Sequence, residues 1–289
     1  MQGQDSGSQK DRRPYSKRTT TAPARGRLLR VARIEGVLLD IDGVLAVSWE
    51  PVPGAARTVT WLRNQGVPFR LVTNTTTHTA ADLADVLTGA GIPVQPWEVI
   101  TAVVGTASYL RRHHTGARCY LLTDGNALDD LEGIHLVEPD AEDADVVVLG
   151  GACDEFSYSN VNRAFRMLMS GASLIAMHKN LYWRTSAGWE LDGGAYVRAL
   201  EEAAGVTATV CGKPSAPFFE AALGMLGMGA DRVCMVGDDI VNDVLGAQDL
   251  GLTGVLVRTG KFRPEDVEKG APDLAIDSIA DLPALLGAA

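Results

Sequence analysis

The chain has 289 residues, of which 46% are hydrophobic and 21% charged, and a mean hydropathy of +0.04, enough apolar material for a full core and for one large or two moderate domains. No apolar run approaches the ~18 residues of a membrane span, so no membrane partner is expected. The net charge of −10 is uneven: residues 1–33 carry nine Lys and Arg against Asp5 and Asp11, leaving about −17 on the rest. An acidic body repels polyphosphate backbones and argues against nucleic acid as a substrate.

Residues 1–33 are rich in Ser, Thr, Gly, Pro and Arg, lack apolar periodicity, and read as a disordered basic tail. No secretory apolar segment is seen near the start. Cys119, Cys153, Cys211 and Cys234 lie far apart without a CxxC pattern, so neither a zinc site nor a disulfide framework is indicated. Both features fit a reducing cytoplasm.

From Glu35 onward, short β-branched runs alternate with helical patterns, the reading of a parallel α/β sheet. "GVLLDI" (36–41) and "PFRLVTN" (68–74) are read as core strands, with helices expected at 54–65 and 80–88. Residues 105–205 have an α/β rhythm of their own and are expected to form an inserted domain, leaving 34–104 and 206–289 as the core domain. Within the insertion, "ARCYLLT", "DADVVVLGG" and "SLIAMHKN" read as strands and "SNVNRAFRMLMSG" as a helix. Beyond it come a helix at 217–226, the strand "VCMVGDD", a helix at 243–250 and the strand "TGVLVRTG".

The core strands end in polar residues, and ligands of open parallel sheets bind beyond the carboxyl ends of the strands. Four polar stretches then carry the chemistry. In "LLDIDGV", Asp40 and Asp42 are two carboxylates two residues apart, able to divide nucleophilic attack from proton transfer. In "LVTNTTTH", Thr73, Asn74 and Thr75 offer hydroxyl, amide and backbone donors just before a helix start, a natural phosphate cradle. In "CGKPSAPFF", Lys213 is either a surface charge or a fixed positive point for phosphate oxygens. In "MVGDDIVND", Asp238, Asp239 and Asp243 crowd acidic charge that repels itself unless a hard cation such as Mg²⁺ joins it. Singly, each stretch has an ordinary alternative: an exposed turn, a polar strand end or a solvated lysine.

Their order is more specific. DxDG, then Thr-Asn, then Gly-Lys-Pro after a large insertion, then GDDxxxD resembles the four motifs of the haloacid dehalogenase superfamily of phosphatases, from about Ile34 to the C-terminal end. The resemblance implies an α/β fold: a Rossmann-like parallel-sheet core with an inserted α/β cap. The cap's place between the second and third motifs resembles the NagD-like group. "FRLVTNTT", "VCGKPSAPFF" and the segment from Met235 are similar to the branch that holds haloacid dehalogenase-like hydrolase domain-containing protein 2 and the phospholysine phosphohistidine inorganic pyrophosphate phosphatases.

By that resemblance Asp40 is the nucleophile that forms an aspartyl-phosphate, and Asp42 the general acid and base. Mg²⁺ is held by Asp40, the Asp42 main-chain carbonyl and Asp238, with Asp239 and Asp243 in support. Thr73, Asn74, Thr75 and Lys213 hold the phosphoryl group. The expected reaction is hydrolysis of a small phosphorylated substrate, a phosphoamide or pyrophosphate included, by a cytoplasmic enzyme that dimerises through its cap. Alternatives are a phosphomutase or phosphotransferase of the same fold and a non-enzymatic partner-binding protein.

Outside the motifs, His178 and Lys179 are read either as reaching the leaving group or as a structural loop. His113 and His114 end a helix in solvent, "FRMLMS" is a packed helix face, and Trp183 and Trp189 are expected to close the cap's small core.

Overall fold

The structure is a computed structural model and describes residues 34–126, 128–185 and 188–287; the tail expected at 1–33 lies outside them. In chain order the strands are β1 (Gly36–Asp40), β2 (Ala46–Val47), β3 (Glu50–Pro51), β4 (Phe69–Val72), β5 (Val99–Ile100), β6 (Arg118–Leu122), β7 (His135–Leu136) and β8 (Val146–Leu149). They continue with β9 (Ser173–Ala176), β10 (Tyr182–Thr185), β11 (Gly188–Leu191), β12 (Thr209–Val210), β13 (Val233–Gly237), β14 (Thr253–Val257) and β15 (Leu274–Ile276). The helices are α1 (Ala55–Asn64), α2 (Ala80–Gly89), α3 (Ala102–His113), α4 (Tyr158–Met169), α5 (Gly193–Ala204), α6 (Ala216–Leu226), α7 (Gly246–Asp249) and α8 (Leu282–Gly287).

The first sheet runs β15-β14-β13-β1-β4-β5, with every pairing parallel. β1 lies inside it, buried at every residue, which is why its sequence is an unbroken apolar run rather than an alternation. Alternate side chains enter two separate layers: Val37 and Leu39 join the core under α1 and α2, and Leu38 joins Phe218 and Phe219 of α6. α1 buries Ala55, Thr58, Val59 and Leu62, the i, i+3, i+4, i+7 stripe of a helix packed on one face.

A second all-parallel sheet, β12-β9-β8-β6-β7, is built from the middle of the chain, and its edge strand β12 follows Gly205, the residue that closes α5. α4 and α5 cover one face, with Ala164, Met167 and Leu168 of the "FRMLMS" helix buried there. Ala102, Val103, Ala107 and Leu110 of α3 cover the other.

Two local readings are corrected. The helix expected at 243–250 is a wide π-type turn, Ile240–Leu245, followed by the short α7. Asp239 caps this turn: its Oδ1 accepts the N–H groups of Val241 and Asn242, both at 3.0 Å, and the Val244 N–H reaches back five residues to the Asp239 carbonyl. Trp183 and Trp189 do not close a core. They sit on the separate β10–β11 hairpin, 49% and 70% exposed, because the second sheet already fills its layers with aliphatic side chains. Among the described residues no helix is long and apolar enough to cross a membrane.

Candidate active site

In register Asp40 lies level with Val72 on β4, and Leu39 with Val236 on β13, so the ends of three neighbouring strands deliver their polar residues to one edge. Asp40 and Asp238 arrive there 5% and 1% exposed. Two carboxylates so deeply buried need a cation or a dense set of donors. Lys213, on the loop before α6, supplies part of it: its Nζ donates to Asp40 Oδ1 at 2.6 Å, to Asp243 Oδ1 at 2.7 Å and to the Val72 carbonyl at 3.3 Å. The π-type turn matters here, since it brings Asp243 back to face Lys213.

The second motif holds that loop in place. Asn74 Nδ2 donates to the Lys213 carbonyl at 2.8 Å, and the Lys213 N–H donates to Asn74 Oδ1 at 2.7 Å. Thr73 is buried, and its hydroxyl accepts the Thr75 N–H at 3.3 Å. The helix start beyond them is not a free anion site. Its capping box joins Thr79 and Asp82, and Asp130 from the second α/β unit accepts the Ala80 N–H at 3.0 Å, so a carboxylate already occupies the position expected for phosphate.

Asp238 Oδ2 accepts the Lys261 N–H at 2.5 Å, while Asp238 Oδ1 is buried without a hydrogen-bond partner among the described residues. The chain can approach Asp238 so closely because Gly43 and Gly260 lack side chains. Both have positive φ, 85° and 64°, and a Cβ on either would lie 2.0 Å from Asp238 Oδ2. One oxygen each from Asp40, Asp238 and Asp243 lie within 4.8 Å of one another. Burial makes these three carboxyls hold their protons more tightly, with Lys213 and Lys261 pulling the other way. Burial pushes Asp238 and Asp243 up to about 6, and raises Asp40 against the opposing pull of Lys213. The orphaned oxygen and the all-carboxylate donor set fit a hard divalent cation such as Mg²⁺.

Of Asp239's two oxygens, Oδ1 caps the turn and Oδ2 accepts Asn242 Nδ2 at 2.7 Å. Asp42 is exposed and lines the mouth of the same cleft. The cleft holds about 390 Å³ and brings Asp40, Asp42, Thr73, Asn74, Thr75, Lys213, Asp239 and Asp243 together; Asp238 stands behind them. His178 lines it as well. Lys179 does not, because both oxygens of Glu201 bind its Nζ at 2.7 Å. His113, exposed at the end of α3, stacks on Tyr109, and His114 meets the same ring at a tilt, away from this site.

Sequence reasoning missed Lys261, Asp124 and Asp192 as lining residues. Lys261 directly follows the strand-end "RTG", a position that offered a signal. Asp124 and Asp192 stand on loops of the inserted unit where no motif marks them.

A buried carboxylate–lysine cluster at the carboxyl edge of a parallel sheet, under a second α/β unit, defines a capped α/β enzyme of phosphate chemistry. Residues 37–137 match the haloacid dehalogenase-like hydrolase family, and residues 210–282 match the HAD-hydrolase-like family. The chain is 41% identical over 239 residues to human haloacid dehalogenase-like hydrolase domain-containing protein 2, covering 83% of this chain and 90% of that protein. It is 36% identical over 258 residues to mouse phospholysine phosphohistidine inorganic pyrophosphate phosphatase, covering 87% and 92%. Solved structures with the same fold include NagD from E. coli K-12, with a TM-score of 0.77, 28% identity and coverage of 86% of this chain and 98% of that one. Another is p-nitrophenyl phosphatase from Archaeoglobus fulgidus, with a TM-score of 0.79, 27% identity and coverage of 89% and 99%. The chain belongs to the haloacid dehalogenase-like hydrolases and is a NagD-like phosphatase of that family.

Proposed function

We propose that the protein is a Mg²⁺-dependent cytoplasmic phosphatase that hydrolyses a small phosphorylated substrate through an aspartyl-phosphate on Asp40, beneath a cap formed by residues 105–205. The observation that carries this reading is Lys213 Nζ, shared between Asp40 and Asp243 at 2.6 and 2.7 Å, beside the partnerless Asp238 Oδ1.

In this reading an Asp40 oxygen forms a bond to phosphorus as the ester P–O bond breaks, while Asp42 gives its proton to the departing oxygen. Water then attacks the acyl phosphate, Asp42 takes the water's proton, and Asp40 is released as a carboxylate. Lys213 keeps the charge shared by Asp40 and phosphate compensated, and Thr73, Asn74 and Thr75 orient the phosphoryl oxygens. Asp243 positions the Lys213 ammonium, and Asp239 fixes the turn that carries Asp243. The ligands for the cation are Asp40, the Asp42 main-chain carbonyl and Asp238; when bound, Mg²⁺ supplies positive charge that lets an anionic nucleophile meet an anionic phosphate.

Phosphate release from p-nitrophenyl phosphate, small esters, phosphoamides and pyrophosphate, with Mg²⁺ or with EDTA, tests the reading. Release is expected with Mg²⁺ alone, and none from Asp40→Asn with unchanged circular dichroism. Wild-type-like rates in Asp40→Asn would overturn the assignment of the nucleophile.

A further inference from the structure

The end of the cleft opposite Asp40 is built by the second α/β unit, from Asp124 after β6, His178 after β9, Trp183 on β10 and Asp192 before α5. His178 is 3% exposed. Its Nδ1 accepts the Asn180 N–H at 3.3 Å, so the neutral ring carries its proton on Nε2. Burial lowers the His178 pKa in spite of Asp192 and Asp124, which keeps that ring neutral. Nε2 is 3.7 Å from Asp192 Oδ1, beyond hydrogen-bond reach, and among the described residues it has no acceptor and presents its N–H to the cleft.

The two carboxylates beside it are also short of partners. Asp124 Oδ1 accepts the Thr76 hydroxyl at 2.9 Å, and Asp192 Oδ1 accepts the Gly193 N–H at 2.7 Å and the Ala152 N–H at 3.3 Å. Neither receives an ammonium or guanidinium among the described residues. The cleft-lining lysines, Lys213 and Lys261, belong to the opposite end beside Asp40 and Asp238, and Lys179 is held by Glu201. Burial raises the Asp124 pKa, the response of a carboxylate that lacks a cation. Trp183 adds an aromatic ring at the same mouth.

We propose that Asp124, Asp192 and Trp183 form a leaving-group pocket for an ammonium, and that the substrate class is the phosphate monoester of a small amino alcohol. The ammonium lies between the two carboxylates against the indole ring, where ion pairing and cation–π attraction act together. The His178 Nε2–H donates to an oxygen of the leaving group. A second anionic group at this position meets two carboxylates and no cation, so acid-bearing phosphates are rejected. The proposal deepens the phosphatase reading and rests on it.

The test compares phosphoethanolamine, ethyl phosphate and phosphoglycolate with the Mg²⁺-loaded full chain. The kcat/KM for phosphoethanolamine should exceed that for ethyl phosphate by about tenfold or more, as one charge-assisted contact provides, and phosphoglycolate should be the slowest. Asp124→Asn preserves an acceptor for Thr76 and should bring the phosphoethanolamine-to-ethyl phosphate ratio toward one; Trp183→Leu should lower it partway. A wild-type ratio near one, a preference for phosphoglycolate, or a ratio untouched by Asp124→Asn would overturn the ammonium pocket while leaving the phosphatase standing. Hydrolysis of none of the three, nor of p-nitrophenyl phosphate, would overturn the phosphatase reading and the pocket with it.

Discussion

The floor and the roof of the cleft solve opposite electrostatic problems. At the floor, Asp40, Asp238 and Asp243 are buried together, Lys213 bridges Asp40 and Asp243 by short bonds, and the three carboxylates call for a divalent cation. At the roof, Asp124 and Asp192 are held by a hydroxyl and by backbone N–H groups, with a neutral imidazole beside them. In the proposed reading the floor acts on a phosphoryl group whatever is attached to it, and the roof senses what is attached. The contrast teaches that changes at the floor should alter rate for every substrate alike, and changes at the roof should alter the ranking of substrates.

Removing Asp42, the proposed proton donor at the mouth of the cleft, is the most severe way to sharpen that comparison after the loss of Asp40 itself. Asp42→Asn should lower kcat by about 10²- to 10⁴-fold on every ester tested, with an unchanged fold because Asp42 is exposed. A reduction confined to one substrate would move Asp42 into recognition. Lys213→Met should follow, lowering kcat/KM by about 10²- to 10³-fold, the scale for one lost positioned donor. It also leaves Asp40 and Asp243 without their ammonium, so the melting temperature should fall in EDTA and recover in part with Mg²⁺. A variant as stable in EDTA as the wild type would show that the lysine is not what compensates the floor.

The pH dependence follows from the same crowding. Burial, opposed in part by nearby donors, lifts Asp238 and Asp243 to about 6. An acid with a raised folded-state pKa takes up its proton before the unfolded chain does, so the ion-free protein loses stability as pH rises through about 6. Cation binding needs the ionised carboxylates. The rise in melting temperature given by Mg²⁺ should therefore be larger above pH 6 than below it, and a rise that is flat across that range would break the link between these carboxylates and the metal. The smallest effect is expected from Trp189→Ser on the exposed hairpin, within about 0.5 kcal/mol of wild-type stability by denaturant melting. Leu149→Ala, in the sheet beneath, should lose about 2–5 kcal/mol in the same assay.

The contrast also explains which parts could be read in advance. The floor was legible because its residues sit at the ends of buried strands: β1, β4, β13 and β14 appear as apolar runs, and polar letters directly after such runs mark a sheet's ligand edge. Lys213 was legible through its Gly-Lys-Pro context and its place after the insertion. Of the roof only His178 was singled out in the sequence, as one of two alternatives; Asp124 and Asp192 were not. Asp124, His178 and Asp192 are spread across 69 positions on three loops with no periodicity, and only the parallel order of β6, β8 and β9 gathers them. The tryptophans misled because large apolar letters suggest burial, whereas a two-stranded hairpin with no covering layer leaves them in solvent.

The sequence by itself determined the class of fold, the order of the motifs along the chain and the chemistry of the floor, because periodicity and strand-end composition are local properties of the chain. Only the tertiary structure decided that Asp238 keeps an orphaned oxygen, that a π-type turn turns Asp243 toward Lys213, that Asp130 fills the start of α2, and that two carboxylates of the inserted unit face the reacting end. Each of these depends on which distant residues the packed sheets bring within hydrogen-bond range. No local pattern encodes such a distance.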